Sequence, residues 1–213
     1  MDIKVSRPID REKWLMYLGV KGQPDERLSG ELDRAEKVLL QEARIKGIYR
    51  VLPREDVKTS GFSVAKHLEG CHKVAVMAVT LGIGVDNLIR NKQITDMAFA
   101  VILDCGASLL IESACDAFEK EIRESVGDFT TSRFSPGYGD YPLEHQEDVL
   151  RYTDASRKIG INATDNCLLV PRKSVTALIG IADHPVTGRL ATCGECVLRE
   201  KCTLRKEGKH CGD

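Results

Sequence analysis

The run from Thr95 to Val126 limits the possible folds more than any other part of this chain. It contains no proline and ends at Gly127, so it predicts one long helix with a glycine stop. Its interior is apolar and small, with Ala98, Ala100, Gly106, Ala107 and Ala114, which lets neighbouring elements approach closely. The second half turns heavily charged and has to reach solvent. Such a helix crosses a core and then leaves it, and the other elements must be arranged around it.

Those elements can be read in order. Glu31 to Lys46 carries Leu32, Ala35, Val38, Leu39 and Ile45 near helical spacing, after Ser29 and Gly30 and before Gly47 as a stop, which predicts an amphipathic helix. Ile48 to Leu52 reads as a strand ending at Pro53, and Val64 to Leu68 as a short helix. Lys73 to Leu81, rich in valine and bounded by Gly82, predicts a well-buried strand, and Val85 to Asn91 a short helix. Glu144 to Lys158 reads as another amphipathic helix. Cys167 to Val170 and Ser174 to Ala182 read as strands paired around Pro171, Arg172 and Lys173. Helices and strands mix with few strand–helix–strand units. The expected fold class is therefore α+β, a mostly antiparallel sheet packed against long helices. With 213 residues, 42% of them hydrophobic, the chain can bury one substantial core. We expect a domain over 1–190 and a short Cys-rich C-terminal tail over 191–213.

Charge and hydropathy exclude some classes of partner. A formal net charge of −1 argues against a general nucleic-acid binder, which carries a basic excess. No apolar run approaches the roughly 20 residues that cross a bilayer; the longest, around Met97 to Ile111, is interrupted by Asp104 and Gly106. Met1-Asp2-Ile3-Lys4 lacks the basic-then-apolar layout of a signal peptide. A cytoplasmic protein with no membrane and no nucleic-acid partner is expected.

Arg133-Phe134-Ser135-Pro136-Gly137-Tyr138, continuing to Asp140, Tyr141 and Pro142, carries the strongest functional signal. Pro136 followed by Gly137 suits neither a helix nor a central strand, so the segment is an ordered loop. Loops that present arginine and tyrosine on a rigid scaffold are where binding sites concentrate. The plainer reading is a proline turn whose tyrosines pack on the core. Gly82-Ile83-Gly84 lacks the full dinucleotide fingerprint and reads as turn chemistry.

With its flanks, this loop resembles the activation (reactivation) domain of cobalamin-dependent methionine synthase. Arg133 to Tyr138 fits the family's Arg-x-x-x-Gly-Tyr signature and is followed by Pro142 and a helix beginning near Glu144. Val170 to Ile181 resembles the family's proline-turn and strand segment, and Val79 to Gly84 a strand and turn of stand-alone relatives. The resemblance spans residues 73 to 190 and is thin over the first 60. The family's Pro-Ala-Pro loop interior is Phe134-Ser135-Pro136 here.

The resemblance implies a domain that binds S-adenosylmethionine and presents its methyl group to an oxidised corrinoid while an electron is supplied. The cobalamin would be carried by a partner, a corrinoid-binding methionine synthase core. The electron would come from a flavodoxin- or ferredoxin-like donor. The sequence shows no catalytic or cobalamin-binding module, so a free-standing activation subunit is expected. Placement is then the protein's contribution, and no general base is needed. Arg133 suits the ligand carboxylate through its planar fork. Backbone around Ser135 and Gly137 would approach the ligand, and Tyr138 would stack on adenine or flank the corrin edge. The family also uses an acid on the preceding helix. Glu112 and Asp116 share a helix face: the Ala117-Phe118 pair favours Asp116, the apolar surroundings favour Glu112. Either reads equally well as a carboxylate paired with a local Arg or Lys. Two rival readings stand beside this one: an iron–sulfur redox activator of another corrinoid methyltransferase, and a non-catalytic docking module.

Cys71, Cys105, Cys115 and Cys167 lie scattered in apolar segments, as small hydrophobes do. Cys193, Cys196, Cys202 and Cys211 crowd the last 21 residues. In a cytosolic protein such a cluster points to a metal before a disulfide framework. Only one Cys-x-x-Cys pair is present, which places an iron–sulfur cluster ahead of zinc, with disulfides third. His67, His72, His145 and His184 show no ligand spacing, and His210 beside Cys211 is a weak substitute ligand.

Overall fold

The computed structural model of the chain describes residues 1–3, 5 and 9–186. The expected boundary at 190, the tail and its four proposed ligands, Cys193, Cys196, Cys202 and Cys211, lie outside the described residues.

Helices α1 (Arg11–Tyr17) and α2 (Glu26–Glu42) come first, each opened by an aspartate, Asp10 and Asp25, that accepts hydrogen bonds from first-turn amides. Strand β1 (Lys46–Pro53), helix α3 (Phe62–His67) and strand β2 (Lys73–Thr80) follow. Helix α4 (Ile83–Thr95) leads into α5 (Met97–Val126), which Asp96 caps through the Phe99 amide and Gly127 ends in the left-handed conformation. Then come β3 (Phe129–Thr130), α6 (His145–Thr153), α7 (Ala155–Ile159), β4 (Asn162–Ala163), β5 (Leu169–Val170) and β6 (Ser174–Ala182).

The main sheet is antiparallel throughout, in the order β1-β2-β6-β3, and β4 pairs with β5 in a separate two-stranded ribbon. The α+β expectation holds. Both central strands are buried on both faces, so their period-2 alternation feeds two cores. Ala75, Met77 and Val79 of β2, with Ala177, Ile179 and Ile181 of β6, meet α1, α2, α4 and α5 in the larger core. Val74, Val76 and Leu178 point the other way, toward Val64, Phe134, Tyr141 and Val149.

Contrary to the expectation that no apolar run is long enough, helix α5 could cross a membrane by length and composition alone. Its apolar face is spent inside the protein: Phe99, Leu103, Leu110, Cys115, Phe118 and Ile122 all pack in the larger core. Gly106 lets Trp14 lie against the helix, and the indole Nε1 donates to the Ile102 carbonyl at 3.0 Å.

Several local expectations need correction. Gly47 is not a helix stop but lies inside β1, where a Cβ would come within 2.6 Å of Ile3 and 2.9 Å of Phe118. Helix α2 accordingly starts and ends earlier than its periodicity predicts. The single helix expected over Glu144 to Lys158 breaks at Asp154, which sits at φ 56°. Aspartate tolerates that conformation better than most residues. Leu169–Val170 pairs with Asn162–Ala163, not with Ser174–Ala182; the latter segment is held by β2 and β3 instead. Helix α1 was not expected from sequence.

Candidate functional site

Past β3 the chain stays extended along the edge of the sheet. Phe134 exchanges both backbone hydrogen bonds with Leu178, at 2.8 and 2.9 Å. Neighbouring residues of an extended segment face opposite sides. The Phe134 ring therefore enters the smaller core, between His67 (ring centroids 4.7 Å apart) and Tyr141 (6.3 Å). Arg133 goes the other way and meets α5.

Three carboxylates of α5 receive it. Arg133 Nη2 donates to Glu112 at 2.8 Å, and Nη1 to Asp116 at 2.6 Å and to Glu119 at 2.8 Å. The three acids stand four and three residues apart, which stacks them on one helix face. Glu119 Oε1 also accepts from Arg123 at 2.5 Å. Arg123 leans on toward the Thr131 carbonyl at 3.4 Å. Burial works against the Arg133 charge, but its hydrogen bonds to Asp116 and Glu112 and the charge of Asp116 outweigh it and raise its affinity for the proton. The cation is thus locked in its charged form. Cys115, beside it on α5, is fully buried, and desolvation pushes its thiol well above the ordinary range. It is a core residue, inert as a nucleophile.

The exposures differ in a useful way. Glu119 is 10% exposed at its side chain and Arg133 22%, whereas Glu112 is 50% and Asp116 69%. The cluster therefore has a buried floor and an open, anionic rim.

The loop beyond Arg133 is a tight turn. Tyr138 donates its amide to Ser135 at 3.1 Å, and Gly137 and Tyr141 close the turn with Gly137 N–H to Tyr141 O at 2.8 Å. Gly137 sits at φ +92°, a conformation side chains rarely adopt. Tyr138 is half exposed and meets the edge of Phe134 at 5.9 Å, while Tyr141 is buried. Of the two tyrosines, Tyr141 alone fits the plain core-packing reading. Asp140 accepts from the Phe62 and Ser63 amides at 2.7 and 2.8 Å, bonds that hold its carboxyl below the usual range. They also dock the loop on α3.

The structure thus pairs Glu112 and Asp116, the two acids expected to meet a ligand, with Arg133, the local carboxylate–arginine pairing that the sequence equally allowed. Ser135, Gly137 and Tyr138 form the adjoining turn. Glu119 was not singled out from sequence, although its position one turn beyond Asp116 was a signal.

A second polar chain lies nearby. Ser60 Oγ is 2.8 Å from His145 Nε2, and His145 Nδ1 is 3.0 Å from Asp148. The order resembles a hydrolase triad, but the amides that open α3 beside Ser60 are committed to Asp140. Arg151 also pairs with Asp148, and the Tyr141 ring stacks on His145 at 5.0 Å. We read this chain as a seam joining the 57–61 segment to α6. No group of three or more metal-ligating side chains occurs among the described residues.

Fold and site together define an α+β domain with an arginine-centred, acid-rimmed cluster at its sheet edge. The chain is similar in structure to the MetH reactivation domain bound to AdoHcy: TM-score 0.64 at 15% identity, over 96% of this chain and 83% of that one. It shares that domain's fold. No family model matches the sequence. No curated protein matches it either.

Proposed function

We propose that this chain is a cytoplasmic protein that binds S-adenosylmethionine and supports reductive methylation of cobalamin on a separate methionine synthase, restoring it to activity. The observation that carries the reading is the Arg133 cluster, standing on the loop that resembles the activation-domain signature within a fold shared with the MetH reactivation domain.

The residues present fit the ligand's charges. Three carboxylates against two guanidiniums leave the cluster with an anionic excess. S-adenosylmethionine carries a sulfonium and an ammonium against one carboxylate, so its net charge is opposite. The carboxylate would take positions on the Arg133 fork, and Glu112 or Asp116, released from it, would receive the ammonium. The Ser135–Gly137 turn lets backbone approach, and Tyr138 offers a ring beside it. When bound, the ligand supplies the methyl group and the partner's cobalamin accepts it. The chain's own task is placement, which can lower a barrier by up to roughly 7–11 kcal/mol.

In this reading the partners are a corrinoid-binding methionine synthase core and a flavodoxin- or ferredoxin-like donor. Cys193, Cys196, Cys202 and Cys211 would supply thiolates for an iron–sulfur cluster or zinc, which iron and zinc analysis of anaerobically purified protein would detect.

Calorimetry with S-adenosylmethionine tests the site. Wild type should bind, and Arg133→Ala should lose about 1.5–3 kcal/mol, as for a charge-assisted hydrogen bond. Equal affinities would contradict the placement of the ligand at Arg133.

A further inference from the structure

We infer that Glu119 is the positioning residue of this cluster: it fixes the Arg133 guanidinium in the orientation that receives a ligand carboxylate. The inference rests on the reading of Arg133 as a ligand-binding group.

The three acids around Arg133 are not equivalent. Exposed ion pairs contribute little and re-form easily with solvent or another anion. Glu112 and Asp116, at 50% and 69% exposure, are of that kind. Glu119, at 10%, is not. Releasing Glu119 from Arg133 would strip a buried carboxylate of one of its two cationic partners, Arg123 being the other, and that costs more than freeing an exposed acid. An arriving carboxylate therefore displaces Glu112 or Asp116 from the fork and leaves the Glu119 bond in place.

Glu119 is itself held. Its Oε1 accepts from Arg123 at 2.5 Å, and Arg123 reaches the Thr131 carbonyl at 3.4 Å. Thr131 is fully buried and tied to Gly180 of β6 twice, through its amide at 2.9 Å and its hydroxyl at 2.8 Å. A continuous brace thus runs from the sheet through Arg123 and Glu119 to one terminal nitrogen of Arg133. The backbone of Arg133 is fixed next to it by the Phe134–Leu178 pairing. With head and backbone both held, the fork is set before the ligand arrives, and less ordering entropy is lost on binding.

The test is a double-mutant cycle on the full chain, read by calorimetry with S-adenosylmethionine. Glu119→Gln keeps the shape and removes the charge. It should weaken binding about tenfold or more in the wild-type background. In the Arg133→Ala background the same change should alter affinity less than about twofold, because nothing remains to be positioned. Glu119→Asp, which keeps the charge one methylene short, should lie between wild type and Glu119→Gln, and it serves for the cycle if Glu119→Gln fails to fold. In wild type the Arg133 side-chain nitrogen signals should show restricted rotation by NMR, and in Glu119→Gln they should average. If Arg133→Ala weakens binding while Glu119→Gln binds as wild type does, Glu119 has no positioning role and the ligand reading stands. If Glu119→Gln weakens binding equally in both backgrounds, its role is general stability and the inference fails. If Arg133→Ala binds as tightly as wild type, both fall together.

Discussion

At the scale of single residues, the cluster is a contest for one guanidinium. Glu112 and Asp116 both reach Arg133, one through each terminal nitrogen. Helical spacing could place both acids on one face but could not rank them, since their phase is the same. Burial distinguishes Glu119, and burial depends on the segment after β3, which lies across the helix only in the folded chain. The anionic excess yields a prediction about selectivity. Wild type should bind S-adenosylmethionine more tightly than S-adenosylhomocysteine, whose sulfur is uncharged. Asp116→Asn should narrow that ratio by about threefold, a modest effect because the carboxylate is exposed. Raising the salt concentration should narrow it too. Competition calorimetry at two salt concentrations measures both. Phe134 belongs to this scale as well: Phe134→Ala should cost about 3–5 kcal/mol in urea unfolding, because its buried ring anchors the loop in the smaller core.

At the scale of elements, the long helix was the most legible feature, because no proline lies between Met97 and Val126 and Gly127 ends it. Its contact with α1 was not legible. Gly106 reads in sequence as one small residue among several, yet it is where Trp14 lies, and an added Cβ would overlap the indole. Gly106→Ala should destabilise by about 1–3 kcal/mol through overpacking, read as a lower urea midpoint at unchanged slope. The break between α6 and α7 was hidden because Asp154 carries no glycine or proline signal. Strand pairing was misjudged at Cys167 to Val170, since a proline turn looks like a hairpin until β2 and β3 claim both edges of β6. The α3 cap offers a pH test. The Asp140 carboxyl is held below its usual range by the Ser63 and Phe62 amides. A depressed carboxylate contributes its stability above the unfolded-state pKa and loses it as pH falls through the folded-state value. Asp140→Asn should therefore melt below wild type at neutral pH. The difference should shrink as the solution is acidified below the ordinary carboxylate range.

At the scale of the molecule, the α+β class followed from the order of elements, and the antiparallel sheet from the want of crossover units. The two-sided burial of the sheet was less legible: the alternation of β2 reads as a plain apolar run, because both of its faces are covered. That sandwich gives the site its rigidity, since α5 and the Arg133 segment pack on one sheet and are joined by the ion pairs of Arg133. Ligand binding should accordingly raise the melting temperature with ligand concentration, as binding to the native state alone requires. The most direct test of the whole account is reactivation. An oxidised methionine synthase core, mixed with this chain, a reductant and methyl-labelled S-adenosylmethionine, should gain labelled methylcobalamin and recover turnover, and Arg133→Ala should abolish most of that gain. Recovery that proceeds equally without this chain, or label that never reaches the corrinoid, would contradict the account.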